Sequence, residues 1–260
     1  MDLFRLDGKV AVLTGGSGQL GQEYIRVLTG YGAKVAVFDV LSSGSDNANA
    51  KYYAVDITKR EVVEDALNQV IVDFGTPEIL INNAAIDSPP SAPASENGMF
   101  EKYPLESLER ILDVNIKGTF ICCQVVGGEM AKKLTGSIIN IASTYGLVSP
   151  VQDIYEYKRK NGDEWYKPAP YAVSKSAILN LTRYLATYWA KKGVRVNTLT
   201  PAGIFNNQDV EFLEAYVKRI PIGRMARSDE MNGAIIFLAS DASSYMTGAN
   251  LIVDGGWTAW

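Results

Sequence analysis

The chain has 260 residues, of which 47% are hydrophobic and 21% are charged, and its formal net charge is −4. This composition is typical of a globular protein with a full core and excludes the disordered class. The net charge gives no reason to expect a nucleic-acid partner, which calls for a clustered basic surface. The longest strongly apolar stretches, such as AIIFLAS, are far too short to cross a bilayer.

The N-terminal residues and the two cysteines indicate the cellular compartment. The first residues, MDLFRLDGKV, lack the basic region and apolar block of a secretion signal, so we expect a cytoplasmic location. Cys122 and Cys123 are adjacent, and neighbouring helical side chains point in different directions, which disfavours a disulfide or a metal cluster. We expect both to be small core residues.

Short apolar runs alternate with segments of helical period along the whole chain. The predicted strands are KVAVLT, KVAVFDV, KYYAVD, EILINNA, GSIINIAS, VRVNTLT and ANLIVDG. The helices between them include GQEYIRVLTGYG, REVVEDALNQVIVDFG and segments near 105–131 and 170–192. This alternation predicts an α/β fold: a single-domain, doubly wound parallel sheet, Rossmann-like, over residues 1–260 with helices on both faces.

Two irregular segments interrupt the alternation. Residues 86–104 are rich in Pro, Ser and Ala, and residues 149–170 are aromatic and charged. Both follow the carboxyl ends of predicted strands, which is the edge where open α/β sheets bind ligands.

A glycine-rich turn follows the first strand. VLTGGSGQLGQEY places Gly15, Gly18 and Gly21 between that strand and a helix. Glycine allows a tight turn and close approach of the backbone to a pyrophosphate, and the helix N-terminus offers N–H groups to the anion. A bare turn would also use glycine, but the position after strand one favours a dinucleotide.

An acidic residue downstream indicates which dinucleotide. Asp39 ends the second strand, where its carboxylate can bond the adenosine ribose hydroxyls and would repel a 2′-phosphate. Ser17, Gln19, Val40 and Leu41 supply no cation, so we predict NAD rather than NADP. Asp56, after the third strand, is expected to contact the adenine or to cap the next helix.

Tyr171 and Lys175 lie four positions apart in a chain that has no histidine. Four residues make about one helical turn, so the two side chains share a face if YAVSKSAIL is helical. A nearby ammonium can lower the pKa of a tyrosine, and we expect Lys175 and a bound nicotinamide to do so. The pair alone would more often mark a helix surface.

Together with NNAA at 82–85, DVNIKG around Asn115 and NIAS ending at Ser143, these motifs give a specific pattern. The chain resembles the short-chain dehydrogenase/reductase family from KVAVLTGG to MTGANLIVDGGW. The resemblance implies that Tyr171 is the general base or acid and that Lys175 binds the nicotinamide ribose. It implies that Ser143 hydrogen-bonds the substrate oxygen; the simpler alternative is that Ser143 is a turn residue. It also implies that Asn115 holds a relay water; the simpler alternative is that Asn115 pairs with backbone in its own helix.

The resemblance also implies a set of cofactor contacts. Asn82 and Ala84 match family positions that line the cofactor, and Ile204 is expected to offer backbone groups to the carboxamide. The full predicted set comprises Gly15, Ser17, Gly18, Gln19, Leu20, Gly21, Asp39, Asp56, Ile57, Asn83, Ala84, Ala85, Tyr171, Lys175, Pro201, Gly203 and Ile204.

The chain departs from the family pattern in three places. Gln19 stands where compact members have their middle glycine, and Ala202 and Asn206 alter the nicotinamide loop. The 149–170 insertion carries aromatic residues beside Lys158, Arg159 and Lys160, which suits a polar or anionic sugar-like ligand or, equally, a subunit contact or surface lid. Similar insertions occur in family members of surface-sugar and flagellin-glycan pathways.

Residues 204–226 match the family's mobile substrate lid. Lys218, Arg219 and Arg224 there are candidates for a substrate anion, with a solvated helix face as the plainer alternative. The resemblance implies an NAD-dependent enzyme that interconverts a secondary alcohol and a ketone, on a carbohydrate-like or sugar-phosphate or sugar-nucleotide substrate, as a homodimer or homotetramer. A non-catalytic dinucleotide sensor or scaffold and an NAD-retaining epimerase or dehydratase are the alternatives.

Overall fold

The structure, a computed structural model, describes residues 2–41, 49–88, 94–160, 162 and 164–260. The predicted irregular segment 86–104 and the insertion 149–170 therefore lie partly outside the described residues. Every residue that the sequence assigns to the site falls within them.

In the part of the chain that the structure describes, seven parallel strands form one sheet. They are β1 (Val10–Thr14), β2 (Lys34–Asp39), β3 (Ala50–Ala54), β4 (Ile79–Asn82), β5 (Gly136–Ile141), β6 (Val194–Pro201) and β7 (Asn250–Val253). Their order is β3-β2-β1-β4-β5-β6-β7, so the chain builds outward from β1 and then reverses direction at β4. This reversal places a crevice outside the carboxyl ends of β1 and β4.

The helices connect these strands as crossovers. The main ones are α1 (Gln19–Gly30), α2 (Arg60–Asp73), α3 (residues 105–133), α4 (Glu156–Lys160), α5 (Ala169–Trp189), α6 (Val210–Val217) and α7 (Asn232–Ala239). Short helical turns lie at Ala94–Asn97, Phe100–Lys102, Thr144–Gly146 and Gln152–Tyr155. The doubly wound parallel sheet is confirmed, and α3 and α5 begin and end within three residues of their predicted bounds.

Helix α3 is not regular throughout. Its segments Leu105–Leu112, Thr119–Cys122 and Gly128–Lys133 are α-helical, whereas Asp113–Gly118 and Cys123–Gly127 have the wider π-helical turn. A π segment breaks the regular sequence of i to i−4 hydrogen bonds and often marks a functional position.

The sheet carries a core on each face, as the period of two along a strand requires. In β1, Val10 and Val12 pack with α2, α3 and α5, whereas Ala11 and Leu13 pack with α1 and α7. Cys122 and Cys123 are buried and unbridged in the first of these cores, as predicted. None of the helices described in the structure is both long and apolar enough to span a bilayer.

A third apolar cluster lies beyond the carboxyl edge of the sheet. It combines the insertion, α6 and the C-terminal segment, through Ile154, Tyr155, Trp165, Tyr216, Ile220, Met225 and Trp257. We call it the aromatic cap. Its members come from distant parts of the chain, so it closes one end of the crevice by long-range packing.

Candidate active site

A continuous groove follows the carboxyl edge of the sheet at the reversal of strand order. Two cavities of about 570 Å³ and 660 Å³ make up the groove, and they share Leu20, Asn83, Ala85 and Ile86 as walls. The first contains the glycine turn and Asp39, and we call it the nucleotide end. The second contains Ser143, Tyr171 and Lys175, and we call it the reaction end.

Two glycines of the turn are required by backbone packing. A Cβ at Gly21 would lie 2.4 Å from the Gly15 carbonyl oxygen, and one at Gly15, where φ is +68°, would lie 2.7 Å from the Ala84 Cα. A Cβ at Gly18 would meet nothing closer than 3.5 Å. Gly18 caps α1 without any side-chain hydrogen bond. The helix N-terminus is thus left open toward the groove, as an anion site requires.

Thr14 and Asn83 fasten this turn to β4. The Thr14 hydroxyl accepts hydrogen bonds from the backbone N–H groups of Asn83 and Ala84, both at 3.0 Å. The Asn83 amide donates to the carbonyls of Thr14 and Gly15 at 3.2 and 2.9 Å. Sequence reasoning overlooked Thr14, although a threonine that ends a buried strand directly before a glycine turn was a readable signal.

Asn82 was predicted to line the cofactor, but it does not line the groove. It is 3% exposed, and its amide donates to Asn140 Oδ1 at 2.8 Å and to Cys123 Sγ at 3.3 Å. The Asn140 amide in turn donates to Thr182 on α5 at 2.9 Å. Because side chains alternate along a strand, Asn82 points to the sheet interior, and Asn83, Ala84 and Ala85 line the groove instead.

The acidic residues of the nucleotide end are partly engaged by the protein. Asp39 accepts hydrogen bonds from the N–H groups of Ser17 and Leu41, both at 2.9 Å, which leaves lone pairs for a ribose. Asp56 accepts from the N–H and hydroxyl of Thr58, whose hydroxyl bond is the largest factor lowering the pKa of Asp56. Asp56 and Ile57 both line the cavity, and Lys59, not Asp56, occupies the cap position of α2.

The loop after β6 covers the reaction end. Pro201, Gly203 and Ile204, which were predicted to contact the cofactor, line this cavity. The Gly203 N–H donates to the Tyr216 hydroxyl at 2.9 Å, and the Ile204 carbonyl accepts from the Gln208 amide at 2.9 Å. That carbonyl is therefore already bonded within the loop.

Gln19, the residue that replaces a family glycine, reaches across the groove. Its amide donates to the Phe205 carbonyl at 2.8 Å, although the two residues are 186 positions apart. This bond joins the glycine turn to the loop after β6. The substitution therefore creates a bridge over the groove.

Ser143, Tyr171 and Lys175 meet at the reaction end. Lys175 is 4% exposed, its ammonium lies 5.6 Å from the Tyr171 ring centre, and it donates to the Ile141 carbonyl at 2.8 Å. Ser143 lines the same cavity, and its hydroxyl accepts a hydrogen bond from the Tyr145 N–H at 3.2 Å. Helix α5 presents Tyr171 and Lys175 on one face, as their spacing predicts.

The pKa of Tyr171 is raised, although the sequence predicted that Lys175 would lower it. Burial raises the pKa of Tyr171 above its ordinary value, the Asp87 carboxylate raises it further, and the Ser143 side chain opposes them. Burial also lowers the pKa of Lys175 to about 8, which Asp87 partly counteracts. In the chain alone, the loss of hydration of the phenolate outweighs the attraction of the ammonium. The predicted lowering by Lys175 is not seen.

Asn115 lies in the first π segment of α3 and is 1% exposed. Its amide donates to the Ile86 carbonyl at 2.9 Å and to the Ser174 hydroxyl at 3.0 Å, and its oxygen accepts from the Ile86 N–H at 2.8 Å. The side chain thus fastens the loop after β4 to α5, next to Lys175. Asn115 therefore pairs with backbone, as in the simpler alternative, but the backbone belongs to Ile86 and not to its own helix.

The cations that the sequence offered for an anionic ligand have other partners in the protein or are exposed to solvent. Lys160 pairs with Glu156 and Arg224 with Glu230. Arg159 donates to the carbonyls of Trp165 and Gln152, both at 3.0 Å, and Lys158 lies 5.7 Å from the Trp165 ring centre. Lys218 and Arg219 are exposed on the far end of α6. These six side chains brace the aromatic cap or face solvent.

A different pair of charges borders Tyr171. The Lys167 ammonium forms an ion pair with Asp87 and lies 5.6 Å from the Tyr171 ring centre, and both charged residues line the reaction end. Sequence reasoning singled out neither, because Lys167 comes from the insertion and Asp87 from the loop after β4. Only the fold brings them together.

Comparisons with known proteins agree with this geometry. A family model described as "Enoyl-(Acyl carrier protein) reductase" matches residues 19–258. A D-threitol dehydrogenase of Mycolicibacterium smegmatis is 32% identical over 269 residues, covering 98% of this chain and 95% of the relative.

Two solved structures are also similar. A short-chain dehydrogenase from Leptospira borgpetersenii with bound NAD+ has 32% identity and a TM-score of 0.87, with 98% of this chain and 94% of that chain covered. A gluconate 5-dehydrogenase from Burkholderia cenocepacia in complex with NADP and tartrate has 28% identity and a TM-score of 0.86, with 100% and 98% covered. The chain belongs to the short-chain dehydrogenase/reductase family and is an oxidoreductase.

The groove residues fit a nicotinamide dinucleotide. The open helix N-terminus, the space above Gly18 and the Asp39 carboxylate suit a pyrophosphate and a ribose in that order along the nucleotide end. The reaction end continues from it to Tyr171 and Lys175.

Proposed function

We propose that the chain is an NAD-dependent dehydrogenase that interconverts a secondary alcohol and a ketone on a neutral, open-chain polyhydroxy substrate. The observation that carries this proposal is the meeting of Ser143, Tyr171 and Lys175 in one cavity continuous with the dinucleotide groove. The named relative that acts on D-threitol supports the choice of substrate class.

The chain's own residues supply the proton chemistry. In the oxidation, the Ser143 hydroxyl donates a hydrogen bond to the substrate oxygen, and the Tyr171 phenolate accepts the proton of the alcohol. Bound NAD+ would accept the hydride from the carbinol carbon and add a positive charge that favours the phenolate. Lys175 holds an ammonium 5.6 Å from the Tyr171 ring centre, where it also favours the phenolate.

Asn115 acts as a positioning residue in this proposal. Its bonds to Ile86 and Ser174 fix the loop that carries Asp87 relative to the helix that carries Tyr171. The proposed relay water would then contact the remaining lone pair of Asn115 Oδ1 or its backbone carbonyl.

The preference for NAD rests on Asp39. Its carboxylate faces the groove, and the described lining of the nucleotide end contains neither Lys nor Arg. A 2′-phosphate would therefore meet an anion without a compensating cation. Asp39→Ala should raise kcat/KM with NADP+ relative to NAD+ by about tenfold or more. A wild-type protein that already prefers NADP+ would contradict this choice.

The charges of the reaction end favour a neutral substrate over a sugar acid or a phosphate. Among its described lining residues the cations are Lys167, paired with Asp87, and Lys175, bonded to the Ile141 carbonyl. Asp209, a second anion of the lining, accepts a hydrogen bond from Tyr157 at 2.9 Å. Among these residues, an incoming carboxylate or phosphate would meet only cations that already have a protein partner, so the charges of the reaction end argue against a sugar-phosphate substrate.

The test is a substrate panel with NAD+, in which NADH absorbance reports oxidation of D-threitol, other four- to six-carbon polyols and D-gluconate. We expect turnover of at least one neutral polyol and weaker turnover of gluconate. Tyr171→Phe should lower kcat at least about a thousandfold while NADH affinity changes less than about threefold. Tyr245→Phe, at a fully exposed position outside both cavities of the groove, is the matched control.

Each alternative function has its own outcome in this panel. Binding of NAD+ without turnover of any alcohol or ketone would indicate a dinucleotide sensor. A change in the sugar without net NADH formation would indicate an epimerase or dehydratase. Unchanged turnover in Tyr171→Phe would remove Tyr171 from the mechanism.

We also propose a cytoplasmic homodimer or homotetramer. Helix α5 exposes Val173, Tyr184 and Tyr188 at 54%, 62% and 60%, an apolar face that a second copy would cover. Sedimentation of the purified protein at several concentrations measures the assembly directly.

A further inference from the structure

The insertion brings a second ammonium to Tyr171. Lys167 Nζ and Lys175 Nζ lie at the same distance, 5.6 Å, from the Tyr171 ring centre. The Lys167 side chain is only 9% exposed. A lysine so close to the ring and so well buried is unlike the mobile lysines of a protein surface, and its charge is poorly screened by solvent.

Both backbone polar groups of Lys167 are bonded to one side chain. The Gln152 side chain donates to the Lys167 carbonyl at 3.0 Å and accepts from the Lys167 N–H at 2.9 Å. Arg159 donates to the carbonyls of Gln152 and Trp165 and so connects this clamp to the aromatic cap. The insertion therefore presents Lys167 from a fixed frame.

Asp87 provides the opposing charge. It follows Ile86, which Asn115 fastens, and its carboxylate accepts from the Ser88 N–H at 2.8 Å and pairs with Lys167. An anion near Tyr171 disfavours the phenolate, and a cation favours it. The pair thus holds two opposite influences on the same hydroxyl.

Charged and titratable groups face Tyr171 from every side of the reaction end. They are Lys175 on its own helix, Lys167 from the insertion, Asp87 from the loop after β4, Tyr145 from the loop after β5, and Tyr216 on α6. The two tyrosines are neutral near pH 7, because burial raises the pKa of both above the ordinary value. Among these groups, the ones charged at that pH are therefore Lys175, Lys167 and Asp87. Asp209, the second anion of the lining, is bonded to Tyr157.

We infer that Asp87 and Lys167 are positioning residues that together set the proton affinity of Tyr171, an inference that rests on the proposed function. Lys167 offsets the carboxylate beside the phenol, so that the insertion adjusts the pH range in which Tyr171 accepts a proton from the alcohol. Neither residue needs to contact the substrate for this effect.

The two single substitutions should act in opposite directions. Lys167→Met leaves the Asp87 anion without its partner, so the acid limb of the pH profile of kcat/KM for alcohol oxidation should move up by about one unit. Asp87→Asn leaves the Lys167 cation, and the limb should move down by about one unit. The double variant should return to within about 0.3 units of the wild type, and Lys167→Arg should restore the wild-type profile. A merely structural pair would lower kcat in every variant and leave the limb where it is.

The experiment uses the full chain with saturating NAD+ and two readouts. The first is the pH profile with the best alcohol of the panel. The second is a tyrosinate absorbance titration of the protein–NAD+ complex, in which each variant is compared with the same variant carrying Tyr171→Phe. Circular dichroism checks folding, and Lys167→Gln replaces Lys167→Met if the latter does not fold.

The outcomes separate this inference from the proposed function. Opposite shifts in the titration without turnover of any alcohol would overturn the function and support the pair. Turnover with no shift, with two shifts in the same direction, or with a displaced double variant would overturn the pair and leave the function standing.

Discussion

The two ends of the groove are built by different means. At the nucleotide end, backbone packs directly on backbone: Gly15 against Ala84, and Gly21 against Gly15. Hydrogen bonds of Thr14 and Asn83 join this turn to the segment after β4. At the reaction end, side chains from distant segments pack together, with ring centres of Tyr155 and Trp165 4.3 Å apart and those of Tyr216 and Trp257 4.4 Å apart. The shape of the nucleotide end depends on glycines that carry no side chain, whereas the shape of the reaction end depends on packed aromatic side chains.

This difference indicates which end of the groove tolerates amino-acid substitutions. The nucleotide end has to fit one invariant group, a dinucleotide, and its geometry is set by main-chain atoms that few substitutions alter. The reaction end is lined by residues of the insertion and of α6, which lie outside the sheet and can vary without disturbing it. The separation predicts that each end can be damaged while the other keeps its function.

The largest expected loss of stability comes from removing Trp165 from the aromatic cap. Trp165 is 6% exposed and packs on Tyr155, so Trp165→Ala should destabilise the cap by about 3–5 kcal/mol. Hydrogen exchange should speed up in residues 151–160, and kcat/KM for the alcohol should fall at least tenfold, to about 10% or less, while NAD+ affinity changes less than about twofold.

Trp260→Ala, at an 80% exposed position, is the control for loss of a tryptophan as such. An equal loss of NAD+ affinity in Trp165→Ala would show that the two ends are one cooperative unit and would break the comparison.

The nucleotide end was the more predictable of the two, because its signals are local. The spacing of Gly15, Gly18 and Gly21 after a buried strand, and Asp39 at the end of the next one, are written in short stretches of sequence. The alternation of strands and helices likewise predicted the sheet, since periodicity reports burial directly. The sequence placed both Asn82 and Asn83 at the cofactor, but Asn82 is buried in the core, because a one-residue step along a strand exchanges the two faces.

The reaction end was predictable only in part. Tyr171 and Lys175 follow from helical spacing, but the π segment at Asn115 leaves no pattern that we read in the sequence. The basic run at 158–160 suggested the wrong cations, because the insertion folds back and uses Arg159 on its own carbonyls. Lys167 and Asp87 are 80 residues apart, and no local signal predicts their ion pair.

A pair of glycine substitutions sharpens the comparison at the nucleotide end. Gly21→Ala places a methyl group 2.4 Å from the Gly15 carbonyl oxygen and should lower the free energy of unfolding by about 1–3 kcal/mol, with loss of NAD+ binding. Gly18→Ala, whose Cβ has room at 3.5 Å, should keep stability within about 1 kcal/mol and weaken NAD+ binding at least about tenfold by filling the space for the pyrophosphate. Chemical denaturation and calorimetric titration measure both quantities. Equal stability losses in the two variants would contradict the packing argument.

The smallest expected effect tests the one side chain that joins the two ends. The Gln19 amide donates to the Phe205 carbonyl at 2.8 Å across the groove, in an exposed setting where one hydrogen bond contributes about 1 kcal/mol. Gln19→Ala should therefore speed NADH dissociation by about fivefold in stopped-flow fluorescence and lower the free energy of unfolding by no more than about 1 kcal/mol. Gln69→Ala, on the exposed face of α2, is the matched control, because its amide bonds only within its own helix to Asp73. A release rate equal to that of the wild type would mean that the bridge opens whenever the dinucleotide binds, and the two ends would then be linked through the cofactor alone.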